Sequence, residues 1–208
     1  MTEHTLKQDV QMKACWSCKG PVVAAALFCP TCNAVQGPAP VDHFARMGLG
    51  VGFEVDVPAL DRLYFDLQRQ LHPDRFATKS PKERALSQQQ ATALNDAYET
   101  LKDPLKRADY LVHLLGVQVL PEGCNLVQDQ SILLEAMEMR EKLAAADTLA
   151  AVGAIAKETK AEIADVIEGL KLAFQGGDIE GACQLTTRLK YLDKMMGEVR
   201  QVRARLMA

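Results

Sequence analysis

Apolar residues recur at three- and four-residue steps through most of the chain, and this period constrains the fold more than any other feature. Before residue 72 the apolar positions predict an amphipathic helix with one buried face: Leu60, Leu63, Tyr64, Leu67 and Leu71. Pro58 suits the first turn of this helix. The helix must end near Leu71, because Pro73 disfavours the helical conformation at His72.

The same period predicts further helices. One starts at the capping sequence Ser80-Pro81-Lys82-Glu83 and should pair with the first helix in a long antiparallel hairpin. Another restarts at Asp103-Pro104 and stops at Gly116. Three more, at roughly 131–146, 148–175 and 178–206, should form a bundle. No strand-like alternation is seen outside the N-terminal segment, so the predicted fold is all-α: a helix pair and a three-helix bundle, preceded by a small metal module.

Four of the six cysteines form two C-x2-C pairs separated by ten residues: Cys15, Cys18, Cys29 and Cys32. Two such pairs complete a tetrahedral thiolate site, and metal binding supplies folding free energy that so short a module lacks. We predict a structural zinc ion with no open coordination position. A redox pair or a disulfide pair is the alternative, but no βαβ pattern surrounds the cysteines. Cys124 and Cys183 are predicted to be buried or half-buried thiols.

Gly37-Pro38-Ala39-Pro40 interrupts regular structure, so we predict a linker there and domains at 1–40, 41–116 and 117–208. A net charge of -3 lacks the basic excess that nucleic-acid binding demands. No apolar run is long enough to cross a bilayer. The first residues, with Glu3 and Asp9, do not resemble a signal peptide, and a cytoplasmic location is expected.

The turn between the first two long helices reads His72-Pro73-Asp74. Pro followed by Asp is ordinary turn chemistry, so the tripeptide alone is weak evidence. The surrounding sequence resembles a J domain, from Phe65 to Phe76. The same family is resembled by the sequence from Asn95 to Leu101 with the following Asp103-Pro104. Residues 41–116 resemble that family throughout, including a short opening helix around Asp42-His43-Phe44.

The resemblance implies that, as in J proteins, the turn and the basic face of the preceding helix dock on an ATP-bound chaperone. This docking promotes ATP hydrolysis by the chaperone. The expected chaperone-binding residues are therefore His72, Pro73, Asp74, Arg62, Arg69 and Arg75. Hydrolysis belongs to the partner, so we expect no catalytic residue and no enzyme; no GxxxxGK[ST] phosphate loop is found. Asp61 and Asp66 offset the arginines of the helix, which suggests a specialised partner.

The first helix of the C-terminal bundle has two distinct faces. At 100° per residue one stripe forms a core face: Ile132, Ala136, Met139 and Leu143. The roughly opposite side carries a candidate interaction surface: Leu134, Met137, Glu138 and Glu141. Tyr191 lies off the apolar stripe of the last helix, so its ring should be at least partly exposed; that stripe comprises Leu185, Leu189, Leu192 and Met196. Scattered surface apolar residues are normal, and that alternative stays open.

Nearly the whole chain resembles the HscB family of iron-sulfur co-chaperones. The segments 134–141 and 189–194 resemble its C-terminal bundle, and the double C-x2-C resembles the zinc module of mitochondrial members. The resemblance implies that the bundle binds the IscU scaffold, through Leu133, Leu134, Met137, Glu138, Glu141, Lys190 and Tyr191, while the J domain stimulates a DnaK/HscA-type chaperone. Ala145 departs from the family, which can have an acidic residue there.

Two other classes of protein stay open. A general protein-folding J protein is one, although the Gly/Phe-rich segment and the CxxCxGxG repeats of that class are absent. A zinc-ribbon nucleic-acid or redox module attached to a helical body is the other, and the acidic balance counts against it.

Overall fold

The computed structural model describes residues 12–116 and 130–207, and within these residues the chain is mainly helical. A two-stranded antiparallel sheet comes first, with β1 at Met12–Ala14 and β2 at Pro21–Val23. The α-helices are α1 (His43–Arg46), α2 (Val57–Leu71), α3 (Pro81–Lys102), α4 (Pro104–Gly116), α5 (Gln130–Ala144), α6 (Leu149–Gly176) and α7 (Ile179–Met207). A short 3-10 helix, Pro73–Phe76, lies between α2 and α3. The all-α fold with a small N-terminal module is confirmed, and none of the helices described is long and apolar enough to cross a membrane.

The chain divides into two compact units. The first contains residues up to Val51 together with Asp56–Leu101, and the second contains Gly52–Val55 together with residues from Lys102 onward. Helix α4 therefore groups with the C-terminal helices, and it packs against α7. The domain limits expected from the sequence, at residues 40 and 116, stay predictions.

In the first unit, the ends of α2 and α3 are fixed by their own sequences. The Asp56 carboxylate accepts a hydrogen bond from the Ala59 N–H, which caps the start of α2. At the start of α3, the Ser80 hydroxyl accepts from the Glu83 N–H while the Glu83 carboxylate accepts from the Ser80 N–H. This reciprocal pair is the capping box that the sequence predicts.

Aromatic and polar contacts hold α2 against α3. The rings of Tyr64 and Tyr98 stack with centroids 3.8 Å apart, and the Tyr98 hydroxyl donates to Asp61 over 2.8 Å. The Tyr64 hydroxyl donates to Asn95 over 2.9 Å. Around these contacts the core of the unit is built from fully or nearly fully buried apolar residues: Phe44, Leu60, Leu71, Leu94, Ala97 and Leu101.

In the second unit, a buried cluster joins the last three helices. Leu143 of α5 packs with Val152 of α6 and with Met195 and Val199 of α7. Met195 is 4% exposed, while Met196, which the sequence places on the apolar stripe of this helix, is half-buried. The helical period favours Met196, and Met195 is buried because it packs with Leu143 and Val152.

Cys183 of α7 is fully buried, as expected, but it is disulfide-bonded and not a free thiol. The prediction of a single thiol is therefore wrong at this position. Cys124 lies outside the described residues.

A short strap, Gly52–Val55, packs on α6. The Phe53 ring stacks on Phe174 with centroids 5.5 Å apart. Glu54 makes an ion pair of 2.8 Å with Lys171 and accepts a hydrogen bond of 2.7 Å from Gln175. The Lys171 ammonium lowers the pKa of the Glu54 carboxyl, so the pair is fully charged at neutral pH.

Candidate functional site

The four cysteines of the N-terminal module converge on one point. Their Sγ atoms all lie within 4.8 Å of one another. Cys15 and Cys32 are separated by 3.7 Å between sulfurs, and so are Cys18 and Cys29. A tetrahedral site with Zn–S bonds of about 2.3 Å requires sulfurs about 3.8 Å apart, so the cluster has the dimensions of a tetrathiolate metal site.

Two similar knuckles produce this arrangement. In the first, the Cys15 N–H donates to the Gly20 carbonyl and the Lys19 N–H donates to the Cys15 carbonyl. In the second, Cys29 repeats both bonds, accepting from the Asn33 N–H. Lys19 and Asn33 have positive φ angles of 64° and 56°, which turn the chain back sharply after each pair of cysteines.

Electrostatics within the cluster favour a bound cation. Burial by itself raises the pKa of the Cys15 thiol, but hydrogen bonds from the backbone of Cys18 and Ser17 and from neighbouring thiols lower it to about 6. The Gly20 N–H lowers the pKa of Cys18, yet its thiol neighbours and burial raise it to about 11. Four thiolates this close repel one another, and a divalent ion among them removes that penalty.

The module packs directly on α3. The buried Gln36 side chain donates to the Cys15 sulfur over 3.4 Å, and the Gln36 backbone carbonyl accepts from the buried Gln90 side-chain amide over 3.0 Å. The Lys82 ammonium lies 4.6 Å from the centre of the Trp16 ring, a cation–π distance. The cysteine cluster is thus linked to the long helix of the first unit through the buried Gln36 and Gln90, with exposed Lys82 and half-buried Trp16 adding a second contact.

The His72-Pro73-Asp74 turn is exposed at the end of α2. His72 leaves the helical conformation, with ψ 128°, as Pro73 requires, and its Nδ1 accepts from the Asp74 N–H over 3.3 Å. The Asp74 carboxylate is 90% exposed. Behind the turn, the buried Ser87 hydroxyl of α3 donates to the Leu71 carbonyl over 2.7 Å. The turn therefore presents its polar groups outward from a fixed base.

Three of the predicted basic residues are exposed in this part of the first unit. Arg62 and Arg69 lie exposed on α2, and Arg75 lies exposed in the 3-10 helix, where its guanidinium donates to the Arg69 carbonyl over 3.2 Å. Asp66 offsets Arg69 at 3.8 Å. A shallow, mostly apolar groove of roughly 490 Å³ adjoins His72. It is lined by Phe65, Gln68, Arg69, His72 and Arg75.

The outward face of α5 also has the predicted exposure. Leu134 is 60% exposed and Met137 is 58% exposed, while Leu143 on the other side is 4% exposed. Glu138 and Glu141 are exposed too. The side chains of Leu133 and Ile132 lie outside the part of the chain that the structure describes.

On α7, Tyr191 is half-buried, and the adjacent Lys190 pairs with Asp109 of α4 at 2.5 Å. Arg188 anchors α5 to this helix through Glu135 at 3.0 Å. Tyr191 borders a small cavity of roughly 20 Å³ between α5, α6 and α7. The two groups expected from α7 are thus held in place by the fold.

Sequence reasoning missed three contributors near these sites. Ser87 and Gln90 are polar residues on a helix, which the apolar period treats as surface, yet both are buried. Phe65 is 58% exposed beside the turn, although its apolar character suggests core. No pattern in a single sequence distinguishes these positions.

Comparison with known proteins identifies both parts of the chain. Residues 47–110 match the DnaJ domain family, and residues 128–200 match the HSCB C-terminal oligomerisation domain family. The chain is 36% identical over 190 residues to the human iron-sulfur cluster co-chaperone protein HscB, covering 89% of this chain and 80% of the human protein. It is 39% identical over 163 residues to the HscB homolog of Aeromonas salmonicida, covering 76% of this chain and 94% of that one.

Solved structures agree with these matches. The crystal structure of human HscB superposes with a TM-score of 0.83 at 36% identity, covering 90% of this chain and 96% of that chain. HscB from Vibrio cholerae superposes with a TM-score of 0.71 at 35% identity, covering 80% and 99%. With its J-domain turn, its C-terminal helices and its N-terminal cysteine cluster, the chain belongs to the HscB family of J-domain co-chaperones of iron-sulfur cluster assembly.

Proposed function

We propose that the chain stimulates ATP hydrolysis by a DnaK/HscA-type chaperone through His72, Pro73 and Asp74. The observation that carries the proposal is the exposed turn at the end of α2, with exposed Arg69 and Arg75 beside it and exposed Arg62 earlier on α2. Such cations attract an acidic partner surface and speed its encounter. The chain acts as an activator here, and the hydrolysing groups are those of the chaperone.

The test is single-turnover ATP hydrolysis by a purified chaperone of this type, with increasing amounts of co-chaperone. His72→Gln should abolish stimulation, because it changes the contact surface of the turn without touching the core. Circular dichroism should be unaltered. Stimulation by His72→Gln at wild-type strength would refute a role for the turn.

We further propose that the outward face of α5, together with Lys190 and Tyr191, binds the IscU scaffold. Leu134 and Met137 are large apolar side chains in water with carboxylates on either side, an arrangement typical of a binding surface. Central apolar residues commonly supply most of the binding energy, with about 1 to 3 kcal/mol lost on truncation. Lys190 is held by its ion pair with Asp109, which restrains its ammonium.

Calorimetric titration with IscU tests this surface. Leu134→Ala combined with Met137→Ala should weaken binding roughly ten- to hundredfold, since each factor of ten corresponds to about 1.4 kcal/mol. The same variant should still stimulate the chaperone's basal ATPase in the absence of scaffold. Unchanged IscU affinity would exclude these residues, and capture of unfolded polypeptide in place of IscU would favour a general protein-folding J protein.

The metal of the N-terminal module is, we propose, a structural zinc ion held by Cys15, Cys18, Cys29 and Cys32. The sulfur spacing fits tetrahedral zinc, and four protein ligands exclude a catalytic water. Replacing Cys15 and Cys32 by Ser should release the metal and unfold the module. Elemental analysis showing iron, or no metal, in the wild-type protein would contradict the assignment. A cytoplasmic location stays a prediction.

A further inference from the structure

A second groove lies beside the His-Pro-Asp turn, between the metal module and the first helices. Phe28 and Asn33 of the module line one part of it, and Arg75, Phe76 and Lys79 line the other. Its volume is roughly 330 Å³. Arg75 lines this groove and also the groove that adjoins His72, so the two grooves share this residue.

The charge in the groove is unbalanced. Arg75 and Lys79 are exposed cations. Glu83 is the one acid among the lining residues, and it is engaged at the start of α3, where its carboxylate accepts from the Ser80 N–H at 3.1 Å and from the Ser80 hydroxyl at 2.8 Å. With the half-buried Phe28 ring opposite, the groove suits an acidic segment that also carries an apolar side chain.

The wall formed by the module is held in register with α3. Gln36 of the module accepts a hydrogen bond from Gln90, and both side chains are at most 2% exposed. Gly37 approaches the Leu86 side chain so closely that an added Cβ would lie 3.2 Å from it. A partner that docks on α2 and the turn therefore meets a preformed groove, which lowers the entropy cost of binding.

We propose that the surface which docks the chaperone extends across Arg75 onto the metal module, and that this groove takes an acidic, partly apolar segment of the ATP-bound chaperone. The inference rests on the proposed function. It assigns the module a binding role in addition to its metal. The chaperone is the occupant that the geometry favours, because Arg75 belongs to both grooves and any partner covering the turn reaches it.

Two single variants and their combination test the extension in the full-length, metal-loaded chain. Lys79→Ala removes a cation from an exposed side chain, and Asn33→Asp adds a negative charge to the module wall. Aspartate tolerates the positive φ of 56° at position 33. Ala25→Asp is the matched control, since it adds the same charge at an exposed module position that does not line the groove.

The measurement is the co-chaperone concentration that gives half-maximal ATPase stimulation. Each single variant should raise it about 2- to 5-fold, and the double variant about 4- to 25-fold if the effects are independent. Ala25→Asp should match the wild type. The difference between the wild type and the double variant should shrink as salt rises.

If His72→Gln abolishes stimulation while Lys79→Ala and the double variant match the wild type, the extended surface is refuted and the proposed function stands. Lys79→Ala lies outside the module, so its effect on half-maximal stimulation tests the extended surface even if Asn33→Asp loses metal. If the wild type itself gives no stimulation, the proposed function fails.

Discussion

The buried hydroxyl of Ser87 is the most direct physical support of the His-Pro-Asp turn. Leu71 is the last residue of α2, so its carbonyl has no partner within the helix. Ser87 supplies one at 2.7 Å, and both residues are 0% exposed. Ser87→Ala leaves the buried carbonyl without this donor, and such a loss costs about 1 to 3 kcal/mol of unfolding free energy.

Urea unfolding followed by Trp16 fluorescence measures this cost. Trp16 is the single tryptophan and belongs to the first unit, so its signal reports the unit that contains Ser87. With a denaturant slope of about 2 kcal/mol per molar, the midpoint should fall by about 0.5 to 1.5 M. Thr92→Ala removes an exposed hydroxyl from the same helix and should change stability by less than about 0.5 kcal/mol.

A functional readout separates positioning from stability alone. The ATPase assay is run without urea, at a temperature at which Ser87→Ala is fully folded. Maximal ATPase stimulation by Ser87→Ala should then be lower than by the Thr92→Ala control, because the base of the turn has lost the hydrogen bond from Ser87. If Ser87→Ala unfolds at the wild-type urea concentration, the hydroxyl does not stabilise α2. If Ser87→Ala is destabilised yet stimulates the ATPase fully, the activity of the turn does not depend on the hydrogen bond from Ser87.

Other predictions follow from burial and charge. Leu143→Ala should cost about 2 to 5 kcal/mol in thermal melts, whereas Leu134→Ala should cost less than about 0.5 kcal/mol; equal losses would mean that the faces of α5 are reversed. Gln90→Ala should destabilise the first unit by about 1 to 3 kcal/mol in urea, and an unchanged midpoint would exclude the buried link to the module. Lys171 lowers the folded-state pKa of Glu54, so this pair stabilises the fold above the ordinary carboxyl pKa and is lost as pH falls through the lowered value. Glu54→Gln should therefore lower stability at pH 7, and the difference from the wild type should shrink as the pH falls below the ordinary carboxyl pKa, as measured by thermal melts over this range.

The sequence predicts the helices well because their signals are local. The helix before the turn needs only the apolar period from Leu60 to Leu71 and the restriction that Pro73 imposes. The α3 start needs only the four residues from Ser80 to Glu83, and the structure shows both bonds of the capping box. The cysteine cluster is equally local, since each knuckle spans a few residues and two of them suffice for a metal site.

Contacts between distant segments could not be predicted in the same way. Met195 lies off the apolar stripe that the helical period indicates for α7, yet it is buried because Leu143 and Val152 pack with it. Helix α4 follows α3 after one residue, yet it packs in the other compact unit. A helical period identifies a buried face but does not identify the segment that covers it.

The buried polar residues show most clearly that local sequence patterns alone do not determine how the segments of the first unit pack together. Gln36, Ser87 and Gln90 are residue types that single-sequence reasoning assigns to the surface, yet each is at most 2% exposed and makes a hydrogen bond to a distant part of the unit. Buried polar groups are tolerated only where their partners are in place, so these three fix which surfaces of the module, α2 and α3 meet. Because Ser87 and Gln90 are one turn apart on α3, the same helix holds both the metal module and the base of the turn. Loss of the module's fold would therefore remove the hydrogen-bond partner of Gln90 on the helix that supports the turn.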